Sequence, residues 1–120
     1  MNVYRSKKIK KIVNKIDKEK LKGKVGIKVH FGERGNKTYL DPQIAKAVYN
    51  KVSSLGHDAA LVECNVLYKG SRTNKSDHIK TAKDHGFDFA PIDILDGERG
   101  NDDMEIPVQD GIIKKAKVGE

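Results

Sequence analysis

The run Val25-Gly26-Ile27-Lys28-Val29-His30, the pair Asp41-Pro42 and the run Ala59-Ala60-Leu61-Val62-Glu63-Cys64 decide the fold of this chain. The first run is rich in Val and Ile and alternates loosely, as a β-strand does. Asp41-Pro42 reads as an N-cap followed by proline at the first helical position. Ile44, Ala45, Ala47, Val48, Val52 and Leu55 then give the helix an apolar stripe, and Gly56 stops it. Ala59 to Cys64 is the second strand. Strand, helix and strand at this spacing form a βαβ unit with parallel strands.

Outward from this unit the pattern repeats. A polar loop, Asn65 to Asn74, leads into a helix over about Lys75 to His85, stopped by Gly86. A third strand follows at about Ala90 to Leu95. Asp110-Gly111 between Met104–Val108 and Ile112–Val118 predicts a β-hairpin, with Pro107 on a sheet edge. Upstream, Ile9, Ile12, Val13 and Ile16 stand at helical spacing among lysines, so residues 6–21 read as an amphipathic helix ended by Lys22-Gly23. The expected fold is therefore α/β: a parallel-rich sheet in two or three layers, with crossover helices and a C-terminal β-hairpin. One domain spans 1–120, made of a basic helix (1–22), a βαβαβ core (23–103) and the hairpin (104–118).

Composition bounds the function classes. The chain has 120 residues, 37% hydrophobic and 34% charged, which suits a single folded domain. It has no apolar run of the roughly 18 residues that a membrane span needs. The basic N-terminus is not followed by the apolar stretch of a secretory signal. Cys64 is the only cysteine, so no internal disulfide forms, and a cytoplasmic location is expected. The net charge of +7 is uneven. Residues 1–28 hold eleven Lys or Arg against Asp17 and Glu19, while the remainder is slightly acidic. The basic character belongs to the N-terminal segment, and a protein-wide nucleic-acid surface is not implied.

Three loops should leave the carboxyl ends of the three parallel strands, the edge where α/β proteins place ligands. They are residues 31–40, 65–74 and 96–103. The first and third share the pentapeptide Gly-Glu-Arg-Gly-Asn, at Gly32 to Asn36 and Gly97 to Asn101. Each loop carries one arginine, Arg34, Arg72 or Arg99, suited to carboxylate or phosphate. Glycines allow close backbone approach. Asn36, Asn65, Tyr68 and Ser71 add neutral donors and acceptors, and His30 ends the first strand. An anionic small molecule is the expected ligand, with His30, Glu33, Arg34, Asn36, Asn65, Tyr68, Ser71, Arg72 and Arg99 as its candidate contacts. Glu33 and Glu98 have a second reading, as partners of a neighbouring loop's arginine that hold the loops together. No spacing matches the phosphate-loop or dinucleotide fingerprints.

His30, Glu33, Cys64, Asp77, His78 and His85 are of the residue types that ligate transition metals. They lack the compact spacing of known ligand motifs, so no metal site is expected. His85 before Gly86 suits a cation at a helix C-terminus. Cys64 suits a small buried apolar position.

The stretch Val25 to Asn36, followed by Thr38-Tyr39-Leu40 and Pro42, resembles the domain of unknown function 362 family. The likeness continues through Asn65-Val66-Leu67-Tyr68, Gly70-Ser71-Arg72, His78, Ala82, His85-Gly86-Phe87 and Ile94 to Gly100. It covers nearly all of the chain from about Lys22. The resemblance implies an uncharacterised, ferredoxin-associated protein, many of whose relatives carry cysteine clusters that bind four-iron–four-sulfur centres. Such a centre needs several closely spaced cysteines. With Cys64 alone, this chain matches the N-terminal part of the family's pattern and binds no complete cluster by itself; a cluster belongs to a longer family member.

Three functions compete. The leading one is a small-molecule-binding domain with an anionic ligand over the loops. The second is a nucleic-acid-binding module using residues 5–28, against which stands the lack of any aromatic residue there beyond Tyr4. The third is a half-domain completed by a second chain or a partner domain. The residues do not decide whether the protein is an enzyme.

Overall fold

A computed structural model describes residues 8–119. Three parallel strands form the central sheet: β1 (Val25–Lys28), β2 (Ala59–Glu63) and β3 (Ile92–Ile94), in the order β1-β2-β3. Val25 lies beside Ala59 and Lys28 beside Val62; Leu61 lies beside Ile92 and Glu63 beside Ile94. Helix α2 (Pro42–Ser54) connects the first two strands and α3 (Lys75–Asp84) the last two; α1 is the short N-terminal helix Ile9–Val13. The expected α/β architecture is present.

Local chemistry sets the helix bounds. The Asp41 carboxylate accepts the Gln43 N–H at 2.9 Å, and Pro42 gives up no needed donor in the first turn. The Asn74 side chain accepts the Asp77 N–H at 2.9 Å. Gly56 (φ 85°) and Gly86 (φ 90°) end α2 and α3 in the left-handed conformation that glycine alone adopts freely.

Both crossovers step the same way along the sheet, so right-handed connections place α2 and α3 on one face. The core agrees with this. Ala45 of α2 and Ala82 of α3 join Val29, Phe31, Leu61, Phe87 and Ile94 in one buried cluster. Phe31 and Phe87 meet edge to face at 5.2 Å. The sheet thus has two layers, helices on one face. The opposite face holds a groove of about 320 Å³ bordered by Lys24, Gly26, Ala60, Val62, Asp93 and Leu95.

The N-terminal helix is shorter than expected. Residues 1–7 lie outside the described residues. Beyond them only Ile9–Val13 is α-helical, and a 3-10 turn occupies Lys18–Lys20. Lys8 offers no side-chain cap, and the first turn has no acidic residue. The Asp17 carboxylate then accepts the Glu19 N–H and starts the separate turn. Only Val13 of α1 is buried, so packing pays little of the cost of a longer helix.

The C-terminal hairpin is present with shifted limits. β4 (Asp103–Pro107) pairs antiparallel with β5 (Lys115–Gly119), Pro107 lying opposite Lys115. Ile112 and Ile113, expected in the second strand, lie in the wider connection and are exposed.

Candidate functional site at the carboxyl edge of the sheet

The three loops meet at the carboxyl ends of the strands, and two sets of hydrogen bonds join them. The first joins loop 31–40 to loop 65–74. Glu33 Oε1 accepts the Ser71 N–H at 2.6 Å and also the Ser71 hydroxyl, while the Arg34 N–H reaches Ser71 Oγ at 3.3 Å. The absence of a side chain at Gly70 lets the Glu33 carboxylate lie against the backbone, and a Cβ there would displace it. The second joins loop 65–74 to loop 96–103. Asp96 accepts the Asn65 N–H at 2.9 Å, the Asn65 side-chain amide donates to Gly97 O at 2.9 Å, and the Lys75 N–H donates to Glu98 O at 2.9 Å.

Arg72 lies at the centre, 2% exposed. Its Nε is 3.7 Å from Glu33 Oε2, its Nη1 is 3.7 Å from Glu63 Oε2, and its Nη2 donates to the Tyr68 hydroxyl. Lys28 Nζ pairs with the other Glu63 oxygen, Oε1. The guanidinium is therefore neutralised from within. Burial pushes the Glu33 carboxyl up, but the Ser71 and Arg34 hydrogen bonds and the Arg72 charge outweigh it and leave the pKa lowered.

His78, in the first turn of α3, has no exposed surface and stands edge-on to Phe31 at 5.8 Å. Burial and the Arg72 charge lower its pKa to about 4, against a partial pull upward from Glu63, Asp96 and Glu33. The imidazole is neutral at neutral pH. Neither ring nitrogen has a hydrogen-bond partner, and Glu33 Oε2, Glu63 Oε2 and Arg72 Nε are likewise unsatisfied. Burial, together with Asp96 and Glu63, raises the Cys64 thiol's pKa, which keeps it protonated and weakly nucleophilic.

Of the residues expected to form a site, Glu33, Asn65, Tyr68, Ser71 and Arg72 are brought together. The Arg34 and Arg99 guanidinium groups are exposed and, among the described residues, in no ion pair. His30 is exposed, its Nδ1 accepting the Gly32 N–H at 3.2 Å. Asn36 closes a local turn, accepting from the Thr38 N–H and hydroxyl. His85 Nδ1 donates to Phe31 O at 2.8 Å, and its ring stacks on Tyr39 at 4.2 Å, a structural role. Among the described residues, no group of three or more His, Cys, Asp or Glu is arranged to hold a metal ion.

Glu63, Asp96 and Lys28 were missed by the sequence reading. The signal for Glu63 lay in the period of its strand: it is two residues from Leu61, so an ionisable group points to the same buried face as the core leucine. Asp96 carries no such signal, because an acidic residue after a strand resembles any turn.

The model of a family described as a domain of unknown function, DUF362, matches residues 25–120. This chain belongs to the DUF362 family. The match takes in the whole parallel sheet, all three loops and the hairpin, and leaves out α1 and the basic segment before β1. No curated protein and no solved structure matches the chain. A four-iron cluster does not fit the DUF362 residues present here, since Cys64 is the only thiol.

Proposed function

We propose that this DUF362 domain binds a small anionic molecule on the outer surface of the three joined loops. The observation that carries this reading is the pair of exposed guanidinium groups, Arg34 and Arg99, on two loops fastened to the third at the carboxyl edge of a parallel sheet. Three of the carboxylates near the loops do not oppose it strongly, because they are already occupied. Glu33 is held by Ser71, Asp96 by Asn65 and Glu63 by Lys28. Arg72 has a different part in this reading. With Glu33 and Glu63 as counter-charges it forms the floor that fixes the loops, and the ligand's charge falls to Arg34 and Arg99. A rigid floor lowers the ordering cost of binding.

Thermal unfolding in increasing inorganic phosphate, and separately in a small dicarboxylate, tests the proposal. Saturable binding raises the melting temperature. Arg34→Ala and Arg99→Ala should each weaken the shift, and the double variant should remove it with the unliganded melting temperature nearly unchanged. The absence of any saturable shift with both probes, or a shift that survives the double variant, would overturn the reading.

A further inference from the structure

The family match begins at Val25, and the segment before it supplies the chain's excess of positive charge. Residues 8–24 hold eight lysines against Asp17 and Glu19. The Asp17 carboxylate is turned back on its own backbone, where it accepts the Glu19 N–H at 3.1 Å. Lys10, Lys11, Lys18, Lys20, Lys22 and Lys24 are exposed, and among the described residues none of the six is in an ion pair. The hairpin is the contrast: its Lys115 and Lys117 are held by Glu105 and Asp103.

The surface around the segment does little to cancel this charge. α1 packs on α2, and α2 has no acidic residue between Pro42 and Ser54 but carries Lys46 and Lys51. At the other end the His57 ring lies 3.4 Å from Gly23 O, which ties the segment to the turn after α2. Asp58, whose carbonyl accepts the Val25 N–H, is an opposing carboxylate at that end.

The chemistry of the segment selects its partner. Lysine is a compact point charge without the paired donors by which arginine grips one carboxylate. Protein interfaces are depleted in lysine and built on aromatic anchors, and residues 8–24 contain no aromatic residue. A membrane surface needs an apolar face to bury. Here Val13 is buried inward, and among residues 8–24 Ile12 alone is an exposed large apolar side chain. Without aromatic rings the segment also has no platform on which single-stranded bases could stack. A duplex needs no such platform, and it offers one phosphate charge for about every 1.7 Å of its axis.

We propose that residues 8–24 attach this DUF362 domain to double-stranded nucleic acid through the phosphate backbone, without reading its sequence. The remainder of the chain is slightly acidic and is not drawn to the same backbone, so the asymmetry orients the domain as well as holding it. Arg34 and Arg99 take no part, and the contact is separate from the site on the loops.

Fluorescence anisotropy of a short labelled DNA duplex at low salt tests the proposal. Saturable binding is expected. Neutralising three or more phosphates means that the affinity falls about 40-fold or more between about 50 and 200 mM salt. Duplexes of unrelated sequence, and a duplex RNA, should compete within a few-fold. At equal anionic charge, the single strand and vesicles of phosphatidylcholine with phosphatidylserine should compete more weakly. Replacing the six exposed lysines by glutamine should reduce the affinity at least about tenfold, with the melting temperature nearly unchanged. Lys18→Gln/Lys20→Gln should already weaken binding and lower the salt slope by about 1 for each lysine. Lys80→Gln/Lys83→Gln removes the same charge from exposed positions on α3 and should leave binding nearly unchanged. The proposal is overturned by no saturable binding at low salt, by equal weakening in the two double variants, or by stronger competition from the vesicles or the single strand.

Discussion

His78 is a residue whose environment decides its protonation. Its imidazole is fully enclosed, faces Phe31 and lies near the Arg72 cation, so the charged form is disfavoured twice. The folded-state pKa of about 4 lies below the ordinary 6.5. The unfolded chain therefore binds a proton here before the folded chain does. The contribution to stability is complete above pH 6.5 and is lost as pH falls through that value towards 4. A displacement of this size corresponds to a loss on the order of 3 kcal/mol. Glu33 works in the same direction at lower pH, since its lowered pKa gives stability that disappears as the carboxylate is protonated. Denaturant unfolding from pH 7 to pH 4 should show a steady fall in stability. His78→Leu should flatten that part of the curve and leave the more acidic decline intact. An unchanged slope in the variant would mean that His78 titrates normally in the folded protein.

Among the elements, loop 31–40 depends most on one backbone conformation. Gly32 has φ 81°, and a Cβ there would stand 2.7 Å from the Tyr39 ring. That ring is the one stacked on His85, so a shift would also loosen the contact between the loop and the end of α3. Gly35 in the same loop has φ 83° but nothing within 4 Å of a Cβ. Gly32→Ala should thus cost about 2–4 kcal/mol, backbone strain plus displaced packing, and Gly35→Ala only about 1 kcal/mol. Equal costs for the two, read from denaturant midpoints, would show that strain alone matters and that the Tyr39 contact yields freely. At this scale the sequence was readable where local chemistry and packing agree. Asp41-Pro42, Gly56 and Gly86 announced helix ends, and the Val/Ile runs announced strands. The convergence of the loops followed from the βαβ pattern. The N-terminal helix failed because periodic isoleucines show which side of a helix is apolar and not whether anything buries it; Ile12 remains 38% exposed. The pairing of Arg72 with Glu33 across two loops was legible as one of two readings of Glu33, but the second counter-charge was out of reach, since Glu63 comes from a strand that the loop sequences do not contain.

At the scale of the whole molecule the two sheets differ in what supports them. β1, β2 and β3 share a buried core with two helices, while the hairpin has ion pairs on one face and solvent on the other. A two-stranded hairpin is marginal in water without a packed face. The free energy of opening should therefore be small over residues 103–119 and close to the global value in the central sheet. Amide hydrogen exchange on dilute protein makes the comparison directly. Hairpin amides should exchange about tenfold or more faster than those of β2, the central strand. Hairpin amides already protected to the level of β2 in a monomeric sample would mean that the hairpin is stable by itself.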